Sequence, residues 1–179
     1  PRSVTLERWD ALNQTKKIVG IGELDNHASV KQIGGIKVEV FPFGLAFKFV
    51  RTHVCTQEPF TGDSARDISL LFEALRYGRC YVAMEYFQAA RGFNFLITQN
   101  NKEYSMGDSL RLQGKAQILI ALPVPALVRI IRNGVLLSEG TGKDIGRTIS
   151  ENGVYRVEAY LKTYGKYRPW IFSNPIFVR

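Results

Sequence analysis

A carboxylate and an imidazole lie two residues apart near the start of a chain that contains only two histidines. They belong to Asp25 and His27, which follow the apolar run Ile18–Gly22. Alternate residues of an extended segment point the same way, so both side chains can reach one cation if the extended geometry continues through Asn26. Carboxylate oxygen beside imidazole nitrogen suits zinc, manganese or iron. Asp25 and His27 are therefore candidate metal ligands.

Two ligands do not complete a catalytic metal site, because catalytic zinc takes about three protein groups and keeps one position open. His53 is the other histidine, and in principle it can join the pair as a site of two histidines and one carboxylate. Nothing in the sequence brings it to Asp25 and His27, so a structural hydrogen-bonding role is the favoured interpretation. The alternative for Asp25 and His27 is a structural role, in which the carboxylate accepts hydrogen bonds from backbone amides of a loop and the histidine is a hydrogen-bond partner.

Arg51 is the candidate phosphate-binding residue. Its planar guanidinium can donate two parallel hydrogen bonds to phosphate oxygens. It lies in the run Phe49–His53, which equally suits a strand whose arginine faces solvent. Both interpretations stay open on the sequence alone.

The composition is that of a globular protein. The chain has 179 residues, 45% of them apolar and 12% aromatic, which is ample for packed cores. No apolar run is long enough to span a bilayer and no signal peptide opens the chain, so we expect a soluble protein without a membrane partner. Cys55 and Cys80 lack the spacing of a zinc ribbon, and two cysteines make no disulfide framework. A reducing cytoplasm is the expected location.

The charge favours anionic partners. Lys and Arg outnumber Asp and Glu by 24 to 16, for a formal net charge of +8, and such an excess attracts phosphate-bearing ligands at long range. The basic residues are scattered, with only short pairs such as Lys16 and Lys17, so we do not expect nucleic-acid binding. Association with nucleic acid driven by charge alone is the weakest of the alternatives.

The first half of the chain alternates helix and strand patterns. Leu6, Trp9 and Leu12 recur at helical spacing before the predicted strand Ile18–Gly22. A second helix is predicted between a cap at Thr61 or Asp63 and a stop at Gly78. Its apolar stripe, which we expect to lie in the core, is Ile68, Leu71, Phe72 and Leu75. A strand from Arg79 to Met84 follows.

From Phe93 onward short strands alternate with turns. Asn133-Gly134 lies between two apolar runs and tolerates positive φ at both turn positions, so it predicts a type I′ hairpin. A half-buried strand is predicted from Val154 to Leu161, with Tyr155 on its inner face and Arg156 on its outer face. Gly153-Val154-Tyr155 is also typical, though weakly, of the tyrosine corner of immunoglobulin-like sandwiches.

The order of these motifs resembles one family, the PHP (polymerase and histidinol phosphatase) group of metal-dependent phosphoesterases, in members that carry a C-terminal β-sandwich. The resemblance spans nearly the whole chain, although each motif alone is weak. Its carriers in the sequence are Trp9-Asp10, Gly20-Ile21-Gly22, Asp25-Asn26-His27-Ala28, residues 50–54, residues 73–83, residues 131–134, residues 153–158 and residues 168–176.

The resemblance implies an α+β chain: residues 1–92 form the last part of a β/α barrel, and residues 93–179 form an immunoglobulin-like antiparallel β-sandwich. Asp25 and His27 match the late Asp-x-His pair that supplies the family's last metal ligands. The family's earlier ligands, including a His-x-His motif, have no counterpart here and would precede Pro1. Small residues are expected just before the pair, whereas this chain has Glu23-Leu24.

The function that this resemblance implies is phosphoester hydrolysis by a metal-activated water in a full-length parent. We expect this chain, as a C-terminal piece, to be inactive by itself, and to pair with a second copy or with the missing barrel segment. The alternative is a noncatalytic β-sandwich module that binds a protein, carbohydrate or other surface. The sequence names neither the natural phosphoester nor the metal.

Overall fold

The computed structural model describes residues 3–179. Strands account for 47% of the chain length and helices for 16%. The helices are α1 (Ser3–Asn13), α2 (Phe43–Ala46) and α3 (Ser64–Tyr77). The strands are β1 (Val30–Ile33), β2 (Ile36–Glu39), β3 (Val50–Val54), β4 (Cys80–Met84), β5 (Asn94–Gln99), β6 (Lys102–Ser105), β7 (Ser109–Leu110), β8 (Ala116–Arg132), β9 (Val135–Ile149), β10 (Gly153–Thr163), β11 (Lys166–Ser173) and β12 (Ile176–Val178). Within these residues no helix is long and apolar enough to cross a membrane.

Ten of the described strands share one curled sheet, and β1 and β2 form a separate hairpin. The main path runs β3-β4-β11-β10-β8-β5-β6, while β9 pairs with β8 and β12 pairs with both β10 and β7. All of these pairs are antiparallel except that between β12 and β7. The arrangement fits the β-sandwich-like part of the predicted fold.

The long strand β8 belongs to both sides of the curl. Its first part pairs with β5 and its last part with β10, while β9 follows its other edge. Between Ala121 and Ala126 the register with β9 shifts, and this stretch contains Pro123 and Pro125. Proline has no N–H for the ladder, so it interrupts pairing and favours a bend at this point.

The core lies between the two sides of the curled sheet. Its largest fully buried side chains include Trp170, Tyr155, Phe95, Ile97 and Ile118. They come from strands far apart in sequence, so the core forms only when the whole sheet closes. Cys80 is buried near this core, and burial raises the pKa of its thiol to about 11, as for an unreactive core cysteine.

Two local predictions for the second half are confirmed. Asn133 and Gly134 have φ values of 52° and 82°, as a type I′ turn requires between β8 and β9. The Tyr155 hydroxyl donates a hydrogen bond of 2.6 Å to the carbonyl of Glu151, four residues upstream. That bond is the defining contact of a tyrosine corner.

Helix α3 forms where it is predicted, but its apolar stripe is not core. Asp63 caps its start by accepting a hydrogen bond from the Arg66 N–H, and Gly78 ends it with a φ of 77°. However, Ile68 is 54% exposed and Phe72 is 61% exposed. The prediction that this stripe lies in the core is therefore wrong for Ile68 and Phe72, whereas Leu71 and Leu75 are half-buried.

The partial β/α barrel is not shown by the described residues. A β/α barrel pairs its strands in parallel, whereas β3 pairs antiparallel with β4. Strand β4 in turn pairs with β11, so the main sheet includes strands from both sides of residue 92. The division into units 1–92 and 93–179 stays a prediction.

Candidate functional site

The segment that leads to Asp25 is extended but is not a strand, so the prediction of a strand at Ile18–Gly22 is wrong. Side chains take the place of a neighbouring strand at alternate residues. Asn13 accepts from the Ile18 N–H at 3.0 Å and donates to the Ile18 carbonyl at 3.1 Å. Asn174 binds the N–H and the carbonyl of Gly20 in the same way, both at 2.8 Å.

Each of these two asparagine side chains acts as a clamp on the segment, and a third clamp comes from Thr52 on β3. The Gly22 N–H donates to the Thr52 hydroxyl at 2.9 Å, and the hydroxyl contacts the Gly22 carbonyl at 3.2 Å. The two glycines allow the close approach: a Cβ on Gly20 would lie 2.8 Å from the Trp9 ring, and one on Gly22 would lie 2.4 Å from a Val82 methyl. The position of the segment against Trp9, β3 and β4 is thus fixed just before Asp25.

Asp25 and His27 are close together, but not through a continuous strand. Asp25 has a φ of 46°, in the left-handed region, so the extended geometry ends there. His27 Nδ1 lies 2.9 Å from the Asp25 carbonyl oxygen. His27 Nε2 lies 3.9 Å from Asp25 Oδ1, and the two side chains are 75% and 85% exposed. The pair meets in solvent rather than in a closed pocket.

The donor set of the pair suits a cation. A His27 Nδ1–H that donates to the Asp25 carbonyl leaves the Nε2 lone pair free, which is the tautomer that metal-bound histidines use. Nε2 and Asp25 Oδ1 then offer one nitrogen and one oxygen side by side. Residues 3–179 contain no group of three or more His, Cys, Asp or Glu residues placed to hold a metal. The described residues therefore bring two such ligands together at this position.

An apolar groove of about 480 Å³ runs beside the clamped segment, between α1 and the outer face of β3 and β4. Trp9, Ile21, Val50 and Met84 are among its lining residues. Glu23 also lines it and is exposed to solvent. Glu23, just before the Asp25–His27 pair, is therefore part of the groove wall.

Aromatic contacts lead away from the Asp25–His27 loop. The Asn26 side chain donates to the Phe41 carbonyl at 2.9 Å, and the Phe41 ring lies 5.0 Å from that of Phe49. Phe49 stacks on Tyr86 at 4.6 Å. Tyr86 meets Phe87 edge-to-face at 5.0 Å, and further contacts lead to the turn between β10 and β11. A series of aromatic contacts thus connects the loop with the turn between β10 and β11.

Arg51 takes part in a different cluster. Its Nη1 donates to Glu85 Oε2 at 2.9 Å, and its Nε donates to the Phe47 carbonyl at 2.9 Å. Glu85 is nearly fully buried, whereas half of the Arg51 side chain is exposed. The guanidinium is already engaged on one edge, and a phosphate would have to use its other edge. Its role in phosphate binding stays a prediction.

His53 belongs to the same cluster as Arg51. Its Nε2 lies 2.9 Å from Glu85 Oε1, and its ring stacks on Tyr81 at 4.6 Å with only 5° between the planes. Within residues 3–179, it forms no metal-binding group with Asp25 and His27. The structural interpretation of His53 fits these contacts.

Glu85 is a central residue that the sequence analysis missed. Its Oε1 also accepts a 2.6 Å hydrogen bond from the Ala90 N–H, which holds the loop after β4. Burial by itself would raise the pKa of Glu85, but the Ala90 hydrogen bond and the charges of His53 and Arg51 outweigh it and hold that pKa below its usual 4.5. In the sequence, Glu85 could have been recognised as a carboxylate that directly follows an apolar strand.

This lowered pKa gives a pH dependence with a definite sign. Ionised Glu85 stabilises the fold above the pKa it has in the unfolded chain, and the contribution is lost as pH falls through its folded pKa. We expect Glu85→Gln to lower the unfolding free energy at pH 6 and to matter progressively less below pH 4.5. Urea unfolding from pH 6 to about pH 3 measures this difference. A difference that does not change with pH would contradict this assignment, and the exposed Glu103→Gln is the control.

A second missed cluster joins α1 to the sheet. Arg156 was predicted to face outward, and it does lie opposite Tyr155, but it is buried rather than solvated. Its guanidinium donates two hydrogen bonds, of 2.5 Å and 2.7 Å, to the carboxylate of Asp10 on α1. It donates a third, of 2.5 Å, to Glu158. The side chains of Arg156, Asp10 and Glu158 are 4%, 8% and 6% exposed. The outer face of β10 is therefore the docking face for α1.

No family model matches this chain, and no curated protein matches it. The solved structures that it resembles include the soluble domain of PmoD from Methylocystis sp. ATCC 49242 (Rockwell), which is 14% identical. That match covers 47% of this chain and 90% of the PmoD domain, with a TM-score of 0.36.

Proposed function

We propose that this chain is the C-terminal part of a PHP-type metal-dependent phosphoesterase. In this proposal residues 1–92 belong to the end of its β/α barrel and residues 93–179 form its immunoglobulin-like sandwich. The order of the sequence motifs motivates the family. The observation that carries the function is the adjacency of Asp25 Oδ1 and His27 Nε2 at 3.9 Å, with His27 Nδ1 directed to a carbonyl.

Asp25 and His27 are proposed to hold one divalent cation, either zinc, manganese or iron. When bound in a complete site, such a metal lowers the pKa of a water and neutralises charge on phosphate oxygens. Asp25 acts in this proposal as an oxygen ligand and His27 as a nitrogen ligand, not as general acid or base. Arg51 adds a cation that can donate to a phosphate from its free edge.

The proposal also requires a partner that covers the exposed apolar face of the β1–β2 hairpin. The β1–β2 hairpin puts Ile33, Ile36 and Val38 on one face, and all three are exposed. An isolated two-stranded hairpin is marginal in water, and exposed apolar patches mark interaction sites. We propose that the missing barrel segment covers this surface, or failing that a second copy of the chain. Sedimentation that shows a compact monomer would exclude the second copy.

The ligand count leads to the first functional expectation. With two metal ligands instead of a full set, the purified chain should hydrolyse a general phosphoester such as p-nitrophenyl phosphate no faster than buffer containing the same manganese or zinc. The assay compares the chain, the Asp25→Ala variant and the metal alone. Turnover that a chelator and Asp25→Ala both remove would contradict the expected inactivity. It would show that the missing ligands are not needed.

One observation favours a second candidate, a noncatalytic binding module. Tyr164, at the turn between β10 and β11, is 87% exposed and meets Phe87 edge-to-face at 6.1 Å. Tyrosine is one of the side chains enriched at the energetically important positions of binding surfaces. Elemental analysis of the purified chain separates the two candidates: bound zinc, manganese or iron supports the enzyme lineage. A metal-free chain that loses a specific ligand on Tyr164→Ala supports the module.

The proposed location is the cytoplasm. The structure leaves Cys55 and Cys80 as free thiols. Free thiols suit a reducing compartment, where disulfides are rare. The proposed substrate is a phosphorylated small molecule or another phosphoester, and the basic net charge favours its approach.

A further inference from the structure

We propose that Asn174, in the turn between β11 and β12, positions the loop that carries Asp25 and His27. The β-sandwich would then act on the candidate metal site through one side chain, 154 residues further along the chain from Gly20. The functional meaning of this inference rests on the proposed metal role of Asp25 and His27. The positioning itself rests only on contacts within the chain.

Every hydrogen-bonding group of the Asn174 carboxamide is used. Its Oδ1 accepts from the Gly20 N–H, and its Nδ2 donates to the carbonyls of Gly20 and Cys80 at 2.8 Å and 2.9 Å. The side chain is fully buried, so water cannot replace a lost partner. Buried polar groups left without partners are costly, and this gives the clamp its strength.

The clamp determines where the segment can lie. Within the described chain, residues 18–22 make no backbone–backbone hydrogen bond to a neighbouring strand, so the side chains of Asn13, Asn174 and Thr52 supply their cross-links. Of these three, only Asn174 joins the segment to the C-terminal part of the sheet. It also ties the segment to the start of β4 through Cys80, so two parts of the sheet set the position of Gly20.

The distance from the clamp to the ligands is short. Only four residues lie between Gly20 and Asp25 in sequence, and Thr52 holds Gly22 among them. Beyond Asp25, the loop is attached through Asn26 to Phe41 and its ring contacts. The side chains of Asp25 and His27 are themselves mostly exposed to solvent. Their placement must therefore come from the residues on either side.

The test compares Asn174→Ala with Ser173→Ala in the full chain. Ser173 is the buried neighbour at the end of β11, and its hydroxyl accepts from the Val157 N–H rather than from residues 18–22. In Asn174→Ala we expect the Gly20 amide hydrogen to exchange about tenfold faster or more, as for the loss of one buried hydrogen bond. The NMR signals of the His27 ring should shift at the same time. Ser173→Ala should change neither, although it speeds exchange at Val157.

Asn174→Asp is the second variant, in case removal of the whole carboxamide prevents folding. It keeps the shape and one acceptor but loses both donors at neutral pH, so His27 signals should again shift. Unchanged Gly20 exchange and unchanged His27 signals in whichever of the two variants folds would overturn the proposal. Equal shifts of His27 in Ser173→Ala would overturn it as well, since any loosening of the turn would then suffice.

Zinc added to the wild-type chain separates this inference from the proposed function. If zinc does not shift the NMR signals of His27, the proposed role of Asp25 and His27 as metal ligands fails. Positioning by Asn174 is then still tested by Gly20 amide exchange and by the His27 signals of the variants. If zinc perturbs His27, we expect a weaker apparent affinity in Asn174→Ala than in Ser173→Ala. Equal zinc affinities would contradict the positioning proposal.

Discussion

Replacing Arg156 by Met should lower the unfolding free energy by about 3–5 kcal/mol, the usual cost of removing one partner from a buried ion pair. Arg156 makes two hydrogen bonds to Asp10 and one to Glu158. Without the guanidinium, both carboxylates stay in a buried site and must take up protons or reach water. Urea unfolding at neutral pH measures the loss.

Arg129→Met is the matched control for this substitution. Arg129 pairs with Glu139 at 2.6 Å on the same part of the sheet, but both side chains are well exposed. Exposed pairs contribute about 0–1 kcal/mol. A double substitution of Arg156→Met with Asp10→Asn should recover part of the loss, because one buried charge is removed. Equal losses for Arg156→Met and Arg129→Met would contradict the assignment of a buried network.

The same substitution should disturb the candidate site. Asp10 lies on α1, and this helix also carries Trp9 and Asn13, which bind the Ile18 carbonyl. If α1 leaves the sheet, the clamped segment loses its first attachment. Hydrogen exchange at Ile18 should therefore increase together with exchange along α1.

The second large effect is expected for Trp170→Ala, at about 3–5 kcal/mol for a large aromatic residue deleted from a packed core. Trp170 is fully buried. Its Nε1–H also donates to the Gln88 carbonyl at 2.9 Å, which ties the loop after β4 to β11. The Tyr81 hydroxyl supports the same loop through the Ala90 carbonyl at 3.0 Å. Thermal or urea unfolding gives the magnitude.

Trp170→Phe distinguishes packing from hydrogen bonding. It keeps most of the apolar volume and loses the bond to Gln88, so we expect a smaller loss of about 1–3 kcal/mol. Tyr167→Ala on the same strand is the exposed control and should change stability little. A Trp170→Ala variant that loses less than Trp170→Phe would show that this side chain is not a main part of the core.

The features that the sequence predicted correctly are those set by neighbouring residues. Asn133-Gly134 specifies its turn by backbone conformation alone, and Asp63 and Gly78 mark the ends of α3 by local capping. The spacing of Asp25 and His27 likewise predicted that the two side chains would be close. They meet, however, through a left-handed Asp25 and not through a continued strand.

The features that were missed depend on distant residues. The alternation in β10 correctly placed Arg156 opposite Tyr155, but no local pattern shows that α1 covers that face. The reverse holds for α3, where Ile68 and Phe72 follow the apolar spacing of a buried helix face but are more than half exposed. The clamp between Asn174 and Gly20 joins residues too far apart for a single sequence to show.

The most direct test of the proposed metal role is a Mn²⁺ titration of the full chain followed by NMR of the two histidine rings. Paramagnetic broadening detects even a weakly bound ion near its ligands. If Asp25 and His27 bind a cation, the His27 signals should broaden at Mn²⁺ concentrations that leave His53 sharp. Asp25→Ala should abolish this difference, while Asp144→Ala in β9 should not. Equal broadening of His27 and His53, or broadening unchanged by Asp25→Ala, would contradict the account.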